Sequence, residues 1–164
     1  MIARRRLLAA TGPMLLSGCG FQLRQAPQFA FQTIYIASGP NSSTVRDIRR
    51  GIATGSNVKV VNDPSAAQVV LDVVLDRREQ VVVGLNATGE VREFQLRSRF
   101  QFRLRTAQGK ELIPLTELLQ QRDISYTESA ALAKEDEQQL LYRDMQADIV
   151  LQLMQRLAAV KTIA

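Results

Sequence analysis

Arg97, Arg99, Arg103 and Arg105 fall on alternate positions of one short stretch, interleaved with apolar residues. Planar guanidinium forks recognise phosphate and carboxylate by paired hydrogen bonds. On an extended strand alternate residues stand ~6.6 Å apart, so the four cover roughly 26 Å of one surface. Two readings are open: cationic contacts to a phosphorylated polyanion, or a solvated or partner-facing outer surface. Lys134 is a second candidate, placed at the start of a helix where free backbone N–H groups favour an anion. Arg77 and Arg78 are weaker versions of the same idea. Little else in the chain offers chemistry. Its 164 residues contain no histidine, no tryptophan and one cysteine, which removes the commonest general base and the commonest metal ligand. The carboxylates Asp63, Asp72, Asp76, Glu90 and Glu93 show no spacing of a catalytic pair or a metal loop. The sequence therefore yields no catalytic residue, no metal ligand and no cofactor, and Asp72, isolated in an apolar run, is expected to pair with an arginine.

The single thiol has a context of its own. Arg4, Arg5 and Arg6 precede an apolar stretch from Leu7 to Leu16, and Leu16-Ser17-Gly18-Cys19 follows. The stretch is far below the ~20 residues a spanning helix needs. A basic segment, a short apolar segment and small residues before a cleavage point are the parts of an export signal. With cysteine directly after that point, the run resembles a bacterial lipobox, in which the new N-terminal thiol takes a diacylglycerol group. Residues 1–18 are then a removed signal peptide, Cys19 is the lipidation site and 19–30 form a tether. An ordinary free cysteine in a cleaved signal is the plainer alternative. Removing 18 of 164 residues leaves 146, one domain by length. It also takes three of the 21 basic residues against 16 acidic ones, leaving +2. Bulk charge then gives no support to nucleic-acid binding, and the acylated cysteine forms no disulfide.

The elements that must position these residues occupy 31–160, expected to be a single domain. Phe31 to Ala37 and Val58 to Val61 read as strands. Between them Val45, Ile48 and Ile52 keep helical spacing, with Ser42 or Ser43 as cap and Gly51 and Gly55 limiting the length. Val69 to Leu75 reads as a strand buried on both faces. Val81 to Leu85 either continues it or forms an apolar hairpin tip. Asn86-Ala87-Thr88-Gly89 is a turn; it matches a glycosylation acceptor, which a bacterial lipobox makes irrelevant. From Phe94 to Arg105 five of six even positions are apolar and no odd one is, the period of a strand buried on one face. Ser98 reads as a small residue in a tight spot. After a turn at Ala107 to Lys110, Leu112 to Tyr126 supplies the partner strand, with Pro114 forcing an edge or a bulge. Ser125 and Glu128 fit a capping box. Leu141, Met145, Ile149, Leu153 and Leu157 then make a helical stripe that covers one sheet face.

Two segments carry a family resemblance. Gly18-Cys19-Gly20-Phe21-Gln22-Leu23-Arg24 resembles the start of LptE, the LPS-assembly lipoprotein (RlpB) family. Tyr126 to Leu157 resembles that family's C-terminal helix, through Ala131 to Gln138, Leu141-Tyr142-Arg143-Asp144-Met145 and Gln155-Arg156-Leu157. The likeness spans the mature chain, though between these segments it lies in pattern more than in letters. It implies an α/β (α+β) two-layer sandwich, with two helices packed on one face of a roughly four-stranded mixed sheet. It implies residence at the inner leaflet of the outer membrane through an N-terminal lipid anchor, since Gly20 rather than Asp follows the lipidated cysteine. It further implies a 1:1 complex with the LptD β-barrel, which the lipoprotein plugs and helps to assemble, together with binding and delivery of lipopolysaccharide and no enzymatic activity. Arg97, Arg99, Arg103 and Lys134 are then the candidate contacts to lipopolysaccharide. Two other classes are a pilotin or scaffold for another envelope complex, and a cell-wall-active enzyme, which needs a carboxylate pair or activated nucleophile.

Overall fold

The computed structural model describes residues 28–39, 42–127 and 131–163. The signal segment, Cys19, most of the tether and Glu128 lie outside them.

Chain order is β1 (Thr33–Ala37), α1 (Ser43–Gly55), β2 (Lys59–Val61), a 3-10 turn (Pro64–Ala66), β3 (Val69–Leu85), β4 (Val91–Thr106), β5 (Glu111–Ser125) and α2 (Ala131–Ala159). The sheet order is β2-β1-β3-β4-β5, with β1 parallel to both neighbours and the last three strands an antiparallel meander. It is an α+β sandwich with both helices on one face. Five strands stand where the resemblance implied about four; the additional one, β2, is a three-residue edge.

The side-chain period explains the layers. Leu96, Ser98, Phe100, Phe102 and Leu104 of β4 are all buried beneath the helices. Ile34 and Ile36 of β1, Val69 and Leu71 of β3, and Val45, Ile48 and Ile52 of α1 join them, and α2 closes the core with Ile149, Leu153 and Leu157. The helix α1 starts as its sequence demands, with Ser42 Oγ accepting from the Val45 N–H at 2.9 Å. It runs through Gly51, where the Met154 side chain lies 3.9 Å from the place a Cβ would occupy, and ends at Gly55. Ser125 closes β5 rather than capping α2.

β3 is one strand of 17 residues, roughly 50 Å long. β1 pairs with it only as far as Asp72, so beyond that point β3 is an edge and the sheet narrows to three strands. A bulge at Val74 shifts the register against β4. Because the side-chain period is two, one extra residue exchanges the faces: Asp72 points outward, but Asp76 and Arg78 point toward the helices. The strand then continues to Leu85, and Val82, Val83 and Leu85 are exposed, so this run is not the buried continuation that was one of its two readings. The β3–β4 turn uses Gly89 at φ 82°, a conformation glycine adopts without penalty. β5 forms the other edge, and its register jumps between Thr116 and Ile113 around Pro114.

Candidate functional site

The uncovered face of the sheet collects the arginine row. Arg97, Arg99, Arg103 and Arg105 alternate with the buried residues of β4 and stand on the face opposite the helices. Across the strands Arg97 stands between Glu79 and Gln121, Arg99 between Arg77 and Leu119, and Arg105 between Val70 and Glu111. Asp72 is paired directly with Arg103 in the register. Its Oδ2 accepts from Arg103 Nε at 2.8 Å and from Arg105 Nε at 2.9 Å, and its Oδ1 from Arg105 Nη2 at 3.3 Å. Partial burial pushes the Asp72 carboxyl up, but hydrogen bonds from Arg105 and Arg103, with their charges, prevail and hold it below its ordinary value. The expected arginine partner of Asp72 is thus two arginines.

The ladder continues toward the hairpin. Arg99 Nη2 donates to Glu117 Oε2 at 2.9 Å, and its Nη1 lies 3.8 Å from Glu79 Oε1. Gln101 donates to the same Glu117 oxygen at 2.6 Å, and this bond, then that from Arg99, lowers the Glu117 carboxyl below its usual range. Arg97 differs: its Nε donates to Gln95 Oε1 at 2.8 Å, and no carboxylate among the described residues pairs with it. Three of the four arginines therefore stand in a lattice of opposite charges, and Arg97 is the one whose guanidinium an incoming anion meets without a competing carboxylate.

Lys134 is elsewhere. It lies on the first turns of α2, where Nζ reaches Glu137 Oε2 at 2.8 Å and Ser125 Oγ at 3.1 Å. It borders a groove of about 240 Å³ between that helix and the sheet, lined on the apolar side by Phe94, Ile124 and Tyr126. The four candidates do not form one cluster, since the three arginines occupy the open face and Lys134 the helical layer. Arg77 sits on the open face, 3.9 Å from Glu79, whereas Arg78 faces inward over the Tyr142 ring at 5.2 Å from its centroid. A wider concavity of about 600 Å³, an open notch between the end of β1 and the bulged part of β3, contains none of the four.

Sequence reasoning did not reach Glu79, Glu117 and Gln95 as partners of the row. Glu79 and Glu117 lie on strands whose register depends on a bulge, and their pairing follows only once that register is known, whereas Gln95 stands two residues before Arg97 on the same strand. Among the described residues no group of three histidine, cysteine or acidic side chains is placed to hold a metal ion. No helix among them is long and apolar enough to cross a membrane.

Comparison with known proteins adds a family. The model of LptE, lipopolysaccharide-assembly, matches residues 31–157, which takes in every strand and nearly all of α2. The LPS-assembly lipoprotein LptE of Yersinia enterocolitica is 28% identical over 158 residues, 94% of this chain and 75% of that protein. The solution structure of a lipoprotein B from Nitrosomonas europaea superposes with a TM-score of 0.75 at 34% identity, covering 85% of this chain and 91% of the other. The crystal structure of the rare lipoprotein B from Shewanella oneidensis gives a TM-score of 0.61 at 26% identity, covering 75% and 93%.

Proposed function

Because this chain belongs to the LptE family and so has a role in lipopolysaccharide assembly, we propose that it is an outer-membrane lipoprotein that plugs an LptD-type β-barrel. It is anchored through Cys19, forms a 1:1 complex with the barrel, assists its assembly and takes part in delivering lipopolysaccharide to the outer leaflet. The family is non-enzymatic, and the proposal extends that to this chain. It works by occupying space and by binding.

The observation that carries this reading is the family match across the whole folded domain. The uncovered sheet face supports it physically. Burying a charge without a partner is costly, and a polar lumen wall cannot pair every arginine of a bare cationic row. Here Asp72, Glu79 and Glu117 already balance Arg103, Arg105 and Arg99, so the face can be enclosed with little charge left unmatched. A large, partly polar interface of this kind is expected to be wet at its rim and to draw its affinity from extent and fit. Lipopolysaccharide contact is assigned to Arg97, with Arg99 and Arg103 along the same face, and to Lys134 beside its apolar groove. An amphipathic polyanion needs both kinds of surface.

The test separates the two roles. In the triple variant Arg97→Gln, Arg99→Gln, Arg103→Gln, lipopolysaccharide binding is expected to fall about tenfold or more, from the loss of several charge-assisted hydrogen bonds. Barrel co-purification is expected to persist, weakened at most, because the interface draws its affinity from extent and fit rather than from three side chains. Lys134→Gln is expected to weaken lipopolysaccharide binding alone. Unchanged binding in both variants contradicts the assignment of these residues.

A further inference from the structure

Beneath the helices the domain has two apolar clusters. The larger includes Ile34, Ile48, Leu71, Phe100, Ile149 and Leu153, at the end where the sheet is five strands wide. The smaller is Leu96, Ile124, Tyr142 and Met145, with Phe94 and Leu141 packed on it, at the end where only β3, β4 and β5 continue. Between them β3, β4, β5, α1 and α2 each contribute polar side chains. Ser98 of β4 stands between Arg78 of β3 and Gln120 of β5. Gln146 of α2 accepts from Arg78 Nη2 at 2.6 Å and from Ser43 Oγ at 2.8 Å, and donates to Asp47 Oδ2 at 2.5 Å. Arg122 of β5 pairs with Asp148 of α2 at 3.1 Å. Ser98 and Gln146 are both buried, so this belt crosses the interior as well as the rim.

We propose that the belt divides the domain into two cooperative units, and that the distal one opens by itself. The moving part is the start of α2, as far as Met145, lying on the far ends of β3, β4 and β5. Apolar burial is what makes the separation of two layers costly. Hydrogen bonds in a polar layer are largely exchanged for bonds to water when the layer parts. A crack along the belt therefore leaves the large cluster intact and exposes only the small one, which is the pattern of a sub-global opening. Among the described residues, three polar contacts hold the distal helix to β3: Tyr142 Oη donates to the Glu79 carbonyl at 2.8 Å, the Tyr142 ring lies 5.2 Å under the Arg78 guanidinium, and Gln138 meets Gln80 at 3.4 Å. The opening also parts Lys134 from Ser125 and widens the groove beside it. That consequence bears on lipopolysaccharide only through the function proposed above, whereas the opening itself is independent of it.

Hydrogen exchange on the purified lipidated chain, with no ligand, tests the opening alone. Amides of residues 133–145 are expected to share one opening event, in which the start of α2 leaves the sheet and unwinds while the strands stay paired with one another. It should be populated at least about tenfold more than the event that exposes residues 34–36, 69–71 and 149–157. Tyr142→Phe, which removes a single hydroxyl, is expected to speed the distal amides about fivefold to tenfold and leave the basal ones unchanged. Equal protection at both ends of α2 overturns the proposal. So does a Tyr142→Phe effect that is absent or spread evenly over the molecule.

Discussion

A carboxylate in the middle of an apolar strand is the residue that best shows how these side chains are held. Asp72 takes hydrogen bonds from two arginines, and Glu117 from Gln101 and Arg99, so both carboxyls are lowered in the folded state. A carboxyl with a lower pKa folded than unfolded binds fewer protons in the folded state. Its contribution to stability is complete above the unfolded values, 3.8 for the aspartate and 4.5 for the glutamate, and is lost as the pH falls through and below them. Stability is therefore expected to be level near neutrality and to drop below about pH 4. Asp72→Asn should lower it by about 1 kcal/mol at neutral pH, a charged hydrogen bond discounted for solvent screening, and should flatten the acid limb. Denaturant titrations of both proteins across pH check this; parallel acid limbs contradict it. At this scale the sequence was partly legible. That Asp72 must find an arginine follows from burying a charge, but Arg103 and Arg105 as its partners follow from register. Cys19 and its lipid lie outside the described residues and stand as a proposal.

Among the elements, β4 was the easiest to read and β3 the hardest. Strict alternation from Phe94 to Arg105 gave strand, face and core together, and the structure extends it only to Val91 and Thr106. α1 and the stripe of α2 were equally plain, since their apolar positions keep one period throughout. In β3 the bulge at Val74 breaks the period, so residues on either side of it obey opposite parities, and no single pattern fits. β5 fails to alternate for a similar reason at Pro114. For Val81 to Leu85 the sequence leaves a buried continuation and an apolar hairpin tip both open, and the exposure of Val82, Val83 and Leu85 decides for the second. These differences set a mutational contrast. Phe100→Ala, in the shared core beneath α2, is expected to cost about 3–5 kcal/mol, whereas Leu85→Ala at the hairpin end should change stability by no more than about 0.5 kcal/mol. Equilibrium unfolding in urea measures both; similar costs at the two sites would mean the hairpin end is packed as firmly as the base.

At the scale of the whole molecule, the fold separates three tasks by place. The described chain begins at Gln28, at the base of β1, while the hairpin end and Lys134 lie at the other end of a strand roughly 50 Å long. The proposed lipid on Cys19 would join the chain ahead of this base, with the Lys134 groove at the opposite end. The ion-paired face lies between them, on the side of the sheet opposite the helices. On the function proposed, a domain without histidine has shape, balanced charge and a few placed cations to offer.

The most direct measurement is to extract the lipidated protein from outer membranes in mild detergent and determine what accompanies it, and in what ratio. The account predicts one outer-membrane β-barrel of the LptD type per copy, retained through size-exclusion chromatography. Recovery of the lipoprotein alone, or with a ring-forming secretin in place of that barrel, would contradict it.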